Sequence, residues 1–452
     1  MQHSHRQLAS RVAVVPFVLD ERGEFFETHD TPYQSVAVPT KPSARSAMTF
    51  PAKRLKLFVI SLAAFLLVIQ IAVVVLNVTH ALSRQTDFLS SYAAGQLIRS
   101  GNGRALYVLS STQISLGEPG NSVVTPVPFD RPAYQALLYV PLSLFSYRNA
   151  YWIFMAANLA LIALCIRMLR PYLPKLEQLW YCLPAAVFLC FLPLGLALIA
   201  GHNSILLLAL LLASAVSFYQ DHDFRAGVFL SLALFRPEFS VPIAILFLVW
   251  RRWRMVGGFT AGSAVCLTIS AAVTGLAGFE SYLRNAFRWN AGLVSSAVSL
   301  DGTAHSTVMP NLWCLMTILG HQFLSSNLLS VITTVLALGL LIWTATRPPN
   351  FALAILVVLL ASYHGSIYDT VLLILPVAMV MDSRIGAVSG NQLLARNIVA
   401  VLFVAFAVFF LLGWSYCLLS LLILALLVPL RSTSSGPAPP QLLGSFWARR
   451  QS

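Results

Sequence analysis

Charge is what this chain has least of. Lys and Arg number 29 and Asp and Glu 16 among 452 residues, so 10% of positions are charged, where soluble domains carry about a quarter. With 58% hydrophobic residues and a mean hydropathy of +0.77, that scarcity excludes a soluble globular protein. Cysteine is scarce too. Cys165, Cys182, Cys190, Cys266, Cys314 and Cys417 lie inside or beside apolar runs with no close Cys-x-x-Cys pair, which argues against a disulfide framework or a zinc site and leaves them as small buried side chains. No group of His, Asp and Glu has a metal-ligand spacing. Glycine-rich phosphate loops and the Gly-x-Ser-x-Gly motif are missing as well. No metal or cofactor is expected, and nucleotide-dependent cytoplasmic chemistry has no support.

What the chain has instead is apolar length. Apolar runs recur along most of it, and runs of about 20 residues read as membrane helices that satisfy their own backbone. The expected class is all-α, a polytopic membrane protein. The formal charge is +13, but most basic residues stand at the ends of apolar runs, where they set orientation and meet anionic lipid. Membrane lipids are therefore expected partners and nucleic acid is not. Residues 1–52 read as a cytoplasmic, disordered tail, 53–430 as the transmembrane unit, and 431–452 as a second cytoplasmic tail rich in Ser and Pro.

Lys53, Arg54 and Lys56 precede the first run, 57–78, and place that end in the cytoplasm. Asp87 then emerges outside, at the head of a polar stretch from 80 to 131, and loops of that length are usually functional. Residues 132–147, interrupted by Pro141, are too short to span and are expected as one helix on the outer surface. Spans follow at 150–168, 180–200, 203–219, 255–275, 327–345, 350–363, 367–381, 397–412 and 415–430. The pieces 225–235 and 239–250 form a hairpin of short helices around Arg236-Pro237-Glu238. A second outer loop covers 276–309, with an amphipathic segment at 279–289, and 309–319 is short. About twelve spans result, with both termini inside and Gly201-His202-Asn203 outside.

Ionisable groups at membrane depth are costly, so each needs a reason. This topology brings Asp87, Arg236, Glu238, His364 and Asp369 to the outer face. A carboxylate there can take a proton from an attacking hydroxyl, and a guanidinium can hold a departing phosphate. Each residue also has a plainer role open to it. Asp87 can cap the helix that begins at Phe88, and Arg236 can end a half-helix and snorkel to the interface. His364 with Asp369, and His202 with Asn203, can simply form turns.

The order of these motifs is similar to that of glycosyltransferase family 87. The resemblance rests on Thr86-Asp87-Phe88, Tyr92-Ala93-Ala94-Gly95, Gly101 to Tyr107 and Phe129 to Pro141. It continues through Gly201-His202-Asn203, Ala226-Gly227 leading to Arg236-Pro237, and Ser362-Tyr363-His364 leading to Asp369. It implies an integral-membrane hexosyltransferase of the GT-C fold, with helices in its outer loops. Such enzymes pass a sugar, typically mannose, from a polyprenyl-phosphate donor to a glycan or glycolipid acceptor outside the cytoplasm, with inversion. The resemblance puts the general base at Asp87. Arg236, His364, Asp369, His202 and Asn203 are the substrate-binding candidates. The chain departs from the family pattern in having Arg236 where Lys is common, His202 where Gln is common, and Phe129-Asp130-Arg131-Pro132-Ala133 where Tyr-Pro-Pro is usual.

A transporter or lipid flippase is the rival reading. It calls for ionisable residues near the bilayer midplane and for related halves. Here the charges gather at one face and no internal repeat is visible.

Overall fold

The computed structural model describes residues 51–83, 87–107, 129–290, 311–320, 322–362 and 366–387. Within them every regular element is helical and no strand occurs. Residues 1–50 and 388–452 lie outside the described residues. They hold nearly all of both expected tails and the spans expected at 397–412 and 415–430.

Helix α1 (Pro51–Ser83) has proline only at its start and no glycine, so nothing in its sequence interrupts the backbone ladder. One stripe of it, Val59, Ala63, Leu66 and Gln70, is buried, while Leu57, Phe65, Val68, Val75 and Leu76 face outward. After α2 (Asp87–Arg99) and α3 (Ala133–Ala136) the chain reverses direction repeatedly. Helix α4 (Tyr147–Leu169) leads away from α2, and α5 (Pro174–Leu179) turns the chain. The pair α6 (Leu183–Leu189) and α7 (Leu192–Ala200) returns. Helices α8 (Ser204–Tyr219) and α9 (Asp223–Leu232) repeat the excursion, as do α10 (Pro237–Val249) and α11 (Trp253–Asn290). Then come α12 (Leu312–Gly320), α13 (Ser326–Ala345), α14 (Phe351–Ala361) and α15 (Ile374–Ala387).

This alternation creates two polar ends. At the end away from α2, Tyr172 packs on Tyr219 and Arg252 pairs with Asp223 at 3.4 Å. There too Asp382 accepts from the backbone N–H groups of Lys175 and Leu176 at 2.8 and 2.9 Å. The other end holds Asp87. Helix α8 has 16 residues, so the two ends are separated by about 24 Å.

Four stretches are long and apolar enough to cross a membrane: Lys56–Val78, Tyr147–Tyr172, Trp253–Asn285 and Ser326–Ala345. The pair α6 and α7, bent by 50°, makes a fifth if counted as one broken span. Helices α8, α10 and α14 are apolar but shorter. Most of the remaining expected spans coincide with helices, yet several are too short to cross alone. Helix α14 shows why. Its ten residues from Phe351 to Leu360 are all buried, so it is apolar on every face because protein, rather than lipid, surrounds it.

One loop expectation changes. Residues 132–147 are not one helix. The segment runs α3, then single 3-10 turns at Leu137–Tyr139 and Leu142–Leu144. Pro141 has no N–H to give and its ring crowds the carbonyl of Leu137, which disfavours a continuous α-helix here. In the stretch expected as a second outer loop from 276, helix runs to Asn290 beyond a kink in α11, where the amphipathic segment 279–289 is expected. Gly275, at φ 70° and ψ 167°, breaks the direction there, a conformation that glycine adopts at little cost. The cysteine reading is also corrected in part. Cys165, Cys182, Cys190 and Cys266 are free, and Cys182 is exposed. Cys314 is disulfide-bonded.

Candidate active site

Asp87 is the first residue of α2, and the next residue anchors that helix. Phe88 is fully buried and its ring meets those of Tyr92, Tyr139, Tyr147, Tyr151 and Phe154 at 4.9–6.1 Å. Burying one such side chain is worth about 1.5–3 kcal/mol. The Asp87 carboxylate above this cluster accepts no hydrogen bond from the described residues, so it does not cap its own helix. Its side chain is 47% exposed, and its nearest partner is His202 Nε2 at 4.0 Å. Burial of its inner side raises the carboxyl pKa above the ordinary 3.8, while the charges of Arg131 and Arg236 pull it back.

His202 reaches this position through a tight turn. Helix α7 ends at Gly201 with φ 64°, and a Cβ there would lie 2.6 Å from the Phe88 Cβ. Only glycine lets the turn sit against α2. His202 Nδ1 and Ser204 Oγ are 2.6 Å apart, and Ser204 Oγ donates to Asp369 Oδ1 at 2.6 Å. Because the single Ser204 proton goes to Asp369, the histidine must carry its own proton on Nδ1. Nε2 then accepts from Arg236 Nη2 at 2.9 Å. This network assigns a neutral imidazole. Burial first, then Arg236 and Arg131, lowers the His202 pKa well below 6.5, in agreement. A neutral ring makes the contact with Asp87 something other than an ion pair.

Arg236 stands just before Pro237, which begins α10. Its Nη1 donates to Glu238 Oε1 at 2.9 Å, and its Nη2 lies 3.2 Å from both oxygens of Asp369. The side chain is 11% exposed and that of Asp369 is wholly buried, so Arg236 points inward and does not snorkel. Its Nε has no partner. Asp369 also accepts from the Ser366 backbone N–H at 2.8 Å, which fixes the turn before the 3-10 helix Ile367–Leu373.

Asn203 accepts a hydrogen bond from the buried Tyr139 hydroxyl, and its Nδ2 is left without a partner. Asp87, His202, Arg236 and Asp369 therefore form one connected constellation, with Asn203 beside it. His364 lies outside the described residues. Sequence reasoning left out Ser204, Tyr139, Arg131 and Tyr368, whose ring lies 5.0 Å from that of His202. It had named Glu238 among the outer-face charges but given it no site role. Arg131 carried a usable signal, a charge beside a proline at the edge of an apolar segment. Ser204 carried none, since a serine at a helix start is ordinary. Among the described residues no group of three or more His, Cys, Asp or Glu is placed to hold a metal ion.

Chemically, the site offers an open carboxylate, a neutral imidazole and two guanidinium groups at one end of a helical bundle. A family model described as glycosyltransferase family 87 matches residues 132–376. The matched stretch includes His202, Asn203, Arg236 and Asp369 and begins after Asp87. No curated protein and no solved structure matches the chain.

Proposed function

Since the chain belongs to glycosyltransferase family 87, we propose that it moves a sugar from a polyprenyl-phosphate donor to a hydroxyl of an extracytoplasmic glycan or glycolipid. That it is a glycosyltransferase follows from the family, and its apolar helices make it a membrane protein. The proposal concerns donor, sugar, mechanism and residues. Mannose is the first sugar to test.

In the proposed step the acceptor oxygen attacks the anomeric carbon and its proton passes to the Asp87 carboxylate. The bond from that carbon to the phosphate oxygen breaks, and polyprenyl phosphate leaves from the opposite face with the electron pair. One displacement inverts the centre, so one carboxylate suffices. Arg236 is the candidate for the departing phosphate, through the Nε that has no partner. Asp369 holds Arg236 in place, and His364, outside the described residues, stays a candidate for substrate binding. His202 and the free Nδ2 of Asn203 are the candidates for sugar hydroxyls.

The observation that carries this reading is the Asp87 carboxylate, half exposed and without a hydrogen bond from any described residue, beside a fixed Arg–His–Asp network. The far end supports an outward-facing site. It gathers Arg167, Arg170, Lys175, Arg251, Arg252 and Arg254, the bias expected of a cytoplasmic face. The test is transfer by purified protein incubated with labelled prenyl-phosphate sugars, one at a time. Product from one of them supports the reading. No transfer from any, together with movement of the intact lipid across vesicles, would favour a flippase.

A further inference from the structure

We propose that Arg131 is a second anion-binding residue of this site, and that its guanidinium meets the phosphate of the lipid-linked donor. The inference rests on the transferase reading and adds to it a residue that the family match, which starts at 132, leaves out.

The first observation is that Arg236 is largely occupied. Both of its terminal nitrogens are engaged, one with Glu238 and the other with Asp369 and His202. Two carboxylates already balance its charge, and only the inward Nε is left. A phosphate relying on Arg236 alone must compete with fixed partners.

Arg131 is the opposite case. It is 8% exposed, so more than nine-tenths of it is buried, yet its side chain makes no hydrogen bond to any described residue. Its nearest ionic neighbour is Asp130 Oδ1, 3.7 Å from Nε, beyond hydrogen-bond reach. Nε has no hydrogen-bond partner, and Asp130 is half exposed, so solvent screens it. Buried guanidinium groups are ordinarily paired, because the uncompensated charge is costly. The backbone here is held firmly all the same. Tyr107 donates its hydroxyl proton to the Arg131 carbonyl at 2.9 Å, and Pro132 sets the extended entry to α3. The residue is thus positioned without being satisfied.

The second observation is where that charge acts. Arg131 is felt by Asp87, by His202 and by Tyr139, three groups at the same end of the bundle. Tyr139 in turn holds Asn203, whose Nδ2 also lacks a partner. The site therefore holds donors without hydrogen-bond partners on Arg131, Arg236 and Asn203, the chemistry an oxyanion-rich ligand needs.

The charge balance points the same way. Asp87, Asp130, Glu238 and Asp369 stand beside two arginines and a neutral histidine, so Arg131 is one of two cations among the described groups of the site. Arg236 is already paired with two of those carboxylates, so a phosphate arriving there needs Arg131 as its remaining cation. A guanidinium fork offers two parallel donors to two phosphate oxygens, which an ammonium cannot match.

The experiment uses the full-length protein and the variants R131Q and R131K, with transfer measured against donor and acceptor concentration separately. Binding of polyprenyl phosphate and of the uncharged polyprenol is measured directly. Loss of a charged hydrogen bond in R131Q should raise the donor KM and weaken polyprenyl-phosphate binding by roughly 10- to 100-fold. Polyprenol binding and acceptor KM should stay as in wild type, and R131K should recover part of the loss. Thermal unfolding identifies a variant that merely misfolds, in which case R131M, of similar length, is read in its place. Wild-type donor KM and wild-type phosphate-over-alcohol selectivity in a folded variant would overturn the proposal. So would a rise confined to the acceptor KM, which would give the phosphate to the acceptor. If wild type itself transfers nothing from any prenyl-phosphate sugar, it is the transferase reading that fails.

Discussion

Arg236 lays a single nitrogen, Nη2, 3.2 Å from each carboxylate oxygen of Asp369, a residue 133 positions later in the chain. Asp369 is buried completely, so the pair ties the break before α10 to the turn before Ile367–Leu373 in a setting water does not reach. Ser204 donates into the same carboxylate and His202 accepts from the same guanidinium. The geometry of the site therefore hangs on this one contact.

Removing one partner of such a pair leaves the other charge buried and uncompensated. D369N should lose about 3–5 kcal/mol of stability, and transfer should fall with it because Arg236 and His202 lose their anchor. Thermal unfolding in detergent checks this. An unchanged midpoint would show that the ion pair is not holding the turn.

Asp87 should behave in the opposite way. D87N should reduce transfer by at least about 10²-fold, the usual effect of losing a general base, while the fold persists. The sign of the stability effect can be worked out. A carboxyl whose folded pKa is raised binds its proton more tightly in the native state, so stability falls as pH rises from 3.8 through the folded pKa. At neutral pH the amide is free of that penalty, and D87N should be at least as stable as wild type. Transfer by wild type should climb with pH along a limb displaced above 3.8. Wild-type rates in D87N would remove the residue from the mechanism.

His202 predicts a second pH effect. Its folded pKa lies well below 6.5, so the unfolded chain takes up a proton there before the native one does. Between 6.5 and the folded pKa, stability should drop as the medium is acidified. H202Q, which has no such proton to gain, should flatten that slope. Melting temperatures of both proteins across pH 7 to 5 supply the comparison. Parallel slopes would mean the imidazole is already charged in the fold.

Orientation can be tested with one new thiol and one native one. Asn102 is exposed close to the end of α2, on the side of Asp87. Cys182 is exposed between α5 and α6, at the far end. An impermeant maleimide applied to intact cells should label N102C and leave Cys182 untouched until the membrane is opened. The reverse pattern would turn the site toward the cytoplasm.

Much of this arrangement was legible in the linear chain. The apolar runs marked most of the helices. Gly201-His202-Asn203 marked a turn, and Pro237 marked the break beside Arg236. Other features were not legible. Hydropathy treats α13 and α14 alike, yet α14 is enclosed by protein while much of α13 faces outward, since burial by lipid and burial by side chains select the same residues. Residues 132–147 read as one helix because their composition outweighed Pro141.

By itself the sequence determined the elements: where helices could run, where proline and glycine had to interrupt them, and which few charges a membrane protein had kept. These follow from local sterics and from the cost of apolar surface in water, both properties of neighbouring residues. The partnerships were decided only by the tertiary structure. Packing of helices far apart in the chain is what fills both ends of Arg236, gives the His202 ring its single proton on Nδ1, and leaves the side chains of Asp87 and Arg131 without hydrogen bonds from the described residues. A side chain's remaining bonding capacity depends on who surrounds it, and that is settled in three dimensions.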